Sequence, residues 1–154
     1  MVAAARTVAE IEQTAQEVRR LGRKCLPLPT DVTQESAVRH MVARALAEFG
    51  QIDILVNNAG TDMTKPLVPL PGFRSPFIRE GDDTPLGLEE WQNLMNLNLN
   101  AVFLCCREVG PHMIARRQGK IINITSGRGV KASPYTIAYN TSKAAVGMFT
   151  RCLA

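Results

Sequence analysis

The chain has 154 residues, 45% of them hydrophobic and 21% charged, an ordinary balance for one globular domain. Its formal charge of +4 is scattered rather than gathered in a basic stripe, and pairs such as Arg19-Arg20 and Arg116-Arg117 read as solvated helix faces, so nothing points to nucleic acid. No apolar run reaches the roughly 18 residues of a membrane span, and the N-terminus lacks a signal-peptide pattern. Cys25, Cys105, Cys106 and Cys152 show no C-x-x-C spacing, and His40 and His112 stand alone. Free thiols in a reducing cytoplasm and no metal site are the expectation.

Thr7-Val8-Ala9-Glu10 reads as a capping box, a hydroxyl answered by a carboxylate three residues later. Val8, Ile11, Ala15 and Val18 then recur at helical spacing until Gly22 closes the segment. Cys25 to Leu28 reads as a short strand ended by Pro29 and followed by Thr30-Asp31-Val32-Thr33. A second helix carries Val38, Met41, Val42, Ala45, Leu46 and Phe49 on its apolar face and stops at Gly50. Next comes a buried strand at 52–56 that runs into Asn57-Asn58-Ala59-Gly60.

Residues 61–87 are rich in Pro and Gly without helical or strand period, which in a compact domain marks a functional or a disordered loop. A helical stretch from about Leu88 to Arg117 follows, and Pro111 should kink or divide it. Lys120 to Ile124 reads as a strand buried on both faces and stopped by Ser126-Gly127. A last helix runs through Lys143. Strand alternating with helix in this order predicts a doubly wound α/β sheet.

The richest stretch is Tyr139-Asn140-Thr141-Ser142-Lys143. A tyrosine and a lysine four apart share one helix face. A nearby ammonium favours phenolate over phenol, so the tyrosine is expected to exchange a proton with a substrate oxygen more readily. Ser126 stands thirteen residues earlier, at a strand end, and Trp91 precedes Asn98 by seven. With the Asn57–Gly60 turn, these motifs in this order resemble the short-chain dehydrogenase/reductase family, over nearly the whole chain. Among its members the chain resembles 3-oxoacyl carrier-protein reductases and related sugar or polyol dehydrogenases.

That resemblance implies a Rossmann-type sheet and hydride transfer between a nicotinamide and a carbonyl or secondary alcohol. By it, Tyr139 is the acid in reduction and the base in oxidation. Lys143 tunes Tyr139 and bonds the nicotinamide ribose, Ser126 polarises the substrate oxygen, and Asn98 holds a water on a proton path. It also implies that Asp31 and Val32 line the adenine and that Asn57, Ala59 and Gly60 pass against its ribose. Ala5 replaces the acidic residue that would bond an NAD ribose, and Arg6 offers a planar cation to a 2′-phosphate, so NADP is expected over NAD.

The family's opening strand and Gly-rich turn, T-G-x-x-x-G-x-G, have no counterpart here. Met1 to Thr7 resembles its second strand, and Ala154 falls within the helix carrying Tyr139. The sheet is therefore expected to be incomplete, lacking its first strand and C-terminal elements. The 61–87 segment is either a substrate-side lid or an unstructured insertion. By the resemblance a complete protein forms a homodimer or homotetramer through the helices around 101–117 and Tyr139. The alternatives are an inactive fragment that only pairs through those helices, and a chain that does not fold.

Overall fold

The structure, a computed structural model, describes residues 1–68 and 84–154. Most of the expected lid or insertion, residues 69–83, lies outside them. The elements are β1 (Val2–Ala5), α1 (Val8–Arg20), β2 (Leu26–Pro29), α2 (Glu35–Phe49), β3 (Ile54–Asn57), α3 (Leu88–Met95), a π-helical segment (Asn96–Asn100), α4 (Ala101–Arg116), β4 (Lys120–Asn123), a 3-10 turn (Gly127–Gly129) and α5 (Ile137–Leu153). They fall into two compact units: residues 1–56 with 103–122, and residues 57–102 with 123–154.

In the first unit β1 and β2 pair in parallel, with Val2 opposite Leu26 and Ala5 opposite Pro29. Pro29 is the last residue of the strand rather than the first one beyond it. The Leu26 N–H donates to the Met1 carbonyl (2.9 Å) and the Thr30 N–H to the Ala5 carbonyl (2.9 Å). Even-numbered residues of β2 thus bond β1, and Pro27 and Pro29, which have no N–H to give, point their nitrogens outward. Such a strand can only be an edge.

Helix α1 covers this pair, burying Ile11 and Ala15 against Ala3 and Cys25, with Val18 beside them. Val8, expected on the same stripe, is 54% exposed at the first turn. The capping box does not form. Thr7 has the extended backbone of an N-cap (φ −84°, ψ 104°), but its hydroxyl makes no cap bond. The helix start is open to water, which satisfies the first N–H groups instead. The other end closes as expected, because Gly22 adopts φ +71°. Its N–H donates to the Arg19 carbonyl (2.9 Å) and the Arg23 N–H to that of Val18 (3.2 Å), the paired bonds of a Schellman cap.

The larger core of this unit joins Val42 of α2 to Val109 and Met113 of α4, with Met41, Leu46, Ile52, Leu55 and Ile121 around them. Cys105 and Cys106 are also buried, and burial pushes the Cys105 thiol up to about 11, so it packs as an inert apolar group. Pro111 does not divide the long helix, since α4 continues through it. The departure from α geometry comes earlier, as the π-helical turn at Asn96–Asn100.

Strands β3 and β4 pair with each other. The Lys120 N–H donates to the Asp53 carbonyl (2.9 Å) and the Ile124 N–H to that of Asn57 (3.0 Å), a constant offset that makes the pair parallel. Burial on both faces, as expected from the apolar runs, is not found. Leu55 and Ile121 join the core, whereas Ile54, Val56, Ile122 and Ile124 on the alternate face are 56, 53, 45 and 41% exposed. An apolar run records that a face can be covered; what covers it comes from elsewhere in the fold.

The second unit is built on α5, which packs against α3, the π-helical segment and the 3-10 turn. Leu94 and Val146 are fully buried there, and so are the polar side chains of Asn98 and Ser142. Lys65 Nζ bonds Glu90 of α3 (2.5 Å) and the Thr84 hydroxyl (3.1 Å), which fastens the described start of the loop.

Candidate active site

The second unit gathers Gly60, Asn98, Ser126, Tyr139 and Lys143. On α5, Lys143 lies one turn beyond Tyr139, and its ammonium is 5.9 Å from the centre of the phenol ring. The lysine is only 6% exposed. Burying an unpaired ammonium is costly. Here Nζ donates to the Ile124 carbonyl at the end of β4 (2.9 Å), and the ring face adds a cation–π attraction. The half-buried Tyr139 makes no side-chain hydrogen bond with the described residues, so its hydroxyl is open to a ligand.

Ser126 follows two residues after Ile124. Its Oγ accepts the Arg128 N–H (3.2 Å) and so caps the 3-10 turn, leaving its own proton to donate elsewhere. The turn rests on α5 at one point. A Cβ at Gly129 would lie 2.9 Å from both the carbonyl carbon and oxygen of Lys143, too close for any side chain. Gly129 therefore sets how nearly the serine turn approaches the lysine backbone.

Asn98 is fully buried and its amide is engaged on three sides. Oδ1 accepts the Thr61 N–H (2.9 Å), and Nδ2 donates to the Thr61 carbonyl (2.9 Å) and to Ser142 Oγ (3.0 Å). Ser142 in turn donates to the Tyr139 carbonyl (2.8 Å). The extra residue of the π turn re-aims the asparagine so that one side chain holds both the segment after Gly60 and α5. Gly60 is close by: a Cβ there would sit 3.1 Å from Asn98 Oδ1 and 3.5 Å from Lys143 Nζ.

The remaining expected residues divide between the units. Asn57 Nδ2 donates to Asn123 Oδ1 (2.8 Å), and Asn123 Nδ2 to Thr150 Oγ1 of α5 (3.0 Å). Ala59 is exposed in the turn that follows. Arg6, Asp31 and Val32 belong to the first unit, where the β1–β2 pairing brings them to the same end of the two strands. Asp31 Oδ1 accepts the Thr33 hydroxyl (2.7 Å) and N–H (3.0 Å). Those two bonds hold its carboxyl below the usual aspartate range, and the charge of Arg6 adds to them. The Arg6 guanidinium makes no hydrogen bond or ion pair among the described residues.

The model of the short chain dehydrogenase family matches residues 1–154, the whole chain. The chain belongs to that family. A relative, 2-dehydro-3-deoxy-D-gluconate 5-dehydrogenase of Escherichia coli (strain K12), is 34% identical over 148 residues, which is 96% of this chain and 52% of that protein. NAD+-bound xylitol dehydrogenase superposes with TM-score 0.85 at 28% identity, covering 99% of this chain and 53% of that one. A metagenomic short-chain oxidoreductase in complex with NADP gives TM-score 0.84 at 28% identity, covering 99% and 62%. The fold of these short-chain dehydrogenases is Rossmann-like, and the family comprises NAD(P)-dependent oxidoreductases. This chain spans about half the length of the relatives it matches.

Sequence reasoning missed three positions of this site: Thr61, Gly129 and Ser142. Ser142 lies inside the Tyr–Lys motif and was within reach, since a serine three residues after a helical tyrosine can bond back to its carbonyl. Thr61 and Gly129 act through backbone proximity and leave no pattern.

Proposed function

We propose that this chain acts as an NADP(H)-dependent oxidoreductase on a carbonyl or secondary alcohol. The observation that carries this reading is the Tyr139–Lys143 pair, a buried ammonium anchored on a strand-end carbonyl 5.9 Å from a phenol whose hydroxyl no described residue occupies. When bound, NADP(H) would supply or accept the hydride. The absent side chain at Gly60 fits such a group, because a Cβ there would stand 3.5 Å from Lys143 Nζ and narrow the approach to it. Arg6 would hold the 2′-phosphate, and Asp31 and Val32 the adenine. Asn57, Ala59 and Gly60 would pass its ribose, and Tyr139 and Lys143 would meet the nicotinamide ribose.

In reduction, Tyr139 gives its proton to the substrate oxygen as negative charge develops there, and Ser126 donates a hydrogen bond to the same atom. In oxidation Tyr139 receives that proton. Asn98 contributes by position, fixing Thr61 and α5 through the bonds described above. The names of the relatives, a deoxygluconate dehydrogenase and a xylitol dehydrogenase, support a small polyhydroxylated substrate. Solved neighbours carry NAD+ in one case and NADP in the other, so the preference for NADP(H) rests on Arg6.

Exposed Phe103 and Ile114 on α4 support assembly into homodimers or homotetramers, and the free cysteines support a reducing compartment such as the cytoplasm. The test is NADPH consumption by the full chain with a panel of small ketoses and oxo acids. Tyr139→Phe should cut turnover by about 10²–10⁴ while leaving the thermal melt in place. Turnover within tenfold of the parent would overturn the role of Tyr139. Arg6→Asp should reverse the ratio of activities with NADPH and NADH, and an unchanged ratio would remove the assignment of Arg6.

A further inference from the structure

The 3-10 turn does more than carry Ser126. Beside it lies a cavity of about 170 Å³ lined by Thr64, Arg128, Ser133, Pro134 and Thr136, all in the second unit. Its walls are fixed. The Thr136 hydroxyl donates to the Ser133 carbonyl (2.9 Å), and Thr136 is buried. Asn140 is satisfied with its amide nitrogen toward Thr136 Oγ1 (2.9 Å) and its oxygen on the Ser133 N–H (3.0 Å). Tyr135, between two lining residues, takes φ +60°, a left-handed conformation that a bulky residue seldom adopts, and its carbonyl accepts the Lys65 N–H (2.7 Å).

The chemistry of the lining has one sign. Arg128 is the only ionised member among the described residues, and no acidic residue occurs between Ser126 and Asn140. One guanidinium nitrogen, NH1, donates to Thr136 Oγ1 (3.3 Å), which aims the side chain along the cavity wall. The other guanidinium N–H groups have no partner among the described residues, and neither do the hydroxyl protons of Thr64 and Ser133. A planar cationic fork beside two hydroxyl donors matches a carboxylate, whose two oxygens accept both fork bonds and have lone pairs left for the hydroxyls. The cavity also adjoins the N-terminus of α5, whose dipole favours negative charge.

We propose that this cavity is a carboxylate subsite and that the substrate is a small hydroxy or oxo acid. The inference rests on the oxidoreductase reading and deepens it. The backbone of Arg128 bonds Ser126 Oγ, so the cation that holds the acid and the hydroxyl that meets the reacting oxygen belong to one turn.

The test is titration of the full chain with glycolate, its neutral amide glycolamide, and inorganic phosphate, followed by NMR at the Arg128 side-chain N–H and the Ser133 and Thr136 amides. Glycolate should bind at least about tenfold more tightly than glycolamide and shift those signals. Arg128→Gln should remove that preference, while Arg128→Lys, which keeps the charge and loses the fork, should retain part of it. Arg128 is exposed, so both variants are expected to keep the parent melting temperature.

Equal binding of glycolate and glycolamide, no saturable glycolate binding, or the same glycolate affinity in Arg128→Gln would each overturn the subsite. Phosphate binding tenfold tighter than glycolate would overturn the choice of carboxylate. Because binding is read without turnover, glycolate binding in a chain that turns over no carbonyl or alcohol at all sinks the oxidoreductase reading alone. Turnover confined to neutral alcohols sinks the subsite alone.

Discussion

Asn98 shows how much one side chain can hold. Its amide bonds the N–H and carbonyl of Thr61 as a neighbouring strand would, and it also reaches Ser142 from inside a fully buried position. Asn98→Ala should therefore cost about 1–3 kcal/mol in urea unfolding, the usual penalty for orphaning buried polar partners. Amide exchange should rise at Thr61 before it rises elsewhere. A variant with parental stability and Thr61 protection would show that the clamp is not needed.

At this scale the Tyr139–Lys143 pair was legible because four-residue spacing fixes a shared helix face whatever surrounds it. The Asn98 clamp was not legible. It depends on a π turn that places the amide, and on a loop residue 37 positions away in sequence. Gly129 was also hidden, since its importance lies in the 2.9 Å approach to Lys143 rather than in any local pattern.

At the scale of elements, α3 begins with half a capping box. Glu90 Oε2 accepts the Gly87 N–H (3.0 Å), but a glycine has no side chain to return the bond. The same carboxylate takes the Lys65 ammonium, and these contacts, Lys65 first, hold it below the usual glutamate range. The unfolded chain thus takes up this proton at higher pH than the folded one. The contribution to stability is complete above the ordinary glutamate pKa and is lost as pH falls through the folded value.

Glu90→Gln should consequently lower the melting temperature at neutral pH and converge on the parent in acid. A gap that stays constant down to strong acid would exclude the ion pair as its source. Two sequence signals were outweighed by their surroundings. Thr7 and Glu10 had the spacing of a capping box at a water-exposed helix start, where solvent competes for the same N–H groups. Pro111, expected to kink or divide its helix, does not divide it, and α4 keeps Val109 and Met113 in the core on either side of it.

For the whole molecule, strand and helix order was readable because periodicity and turn residues act locally. The covering of the sheet was not. Ile54, Val56, Ile122 and Ile124 have the composition of buried positions, yet no described residue covers that side of the β3–β4 pair. The β1–β2 pair carries an asymmetry of a different kind. With Pro27 and Pro29 directed outward, the free side of β2 offers carbonyls but lacks alternate donors, so it is a poor template for fibril growth or for a foreign strand. Any strand that enlarges this sheet must enter beside Val2–Ala5, which gives the pair a single direction of growth.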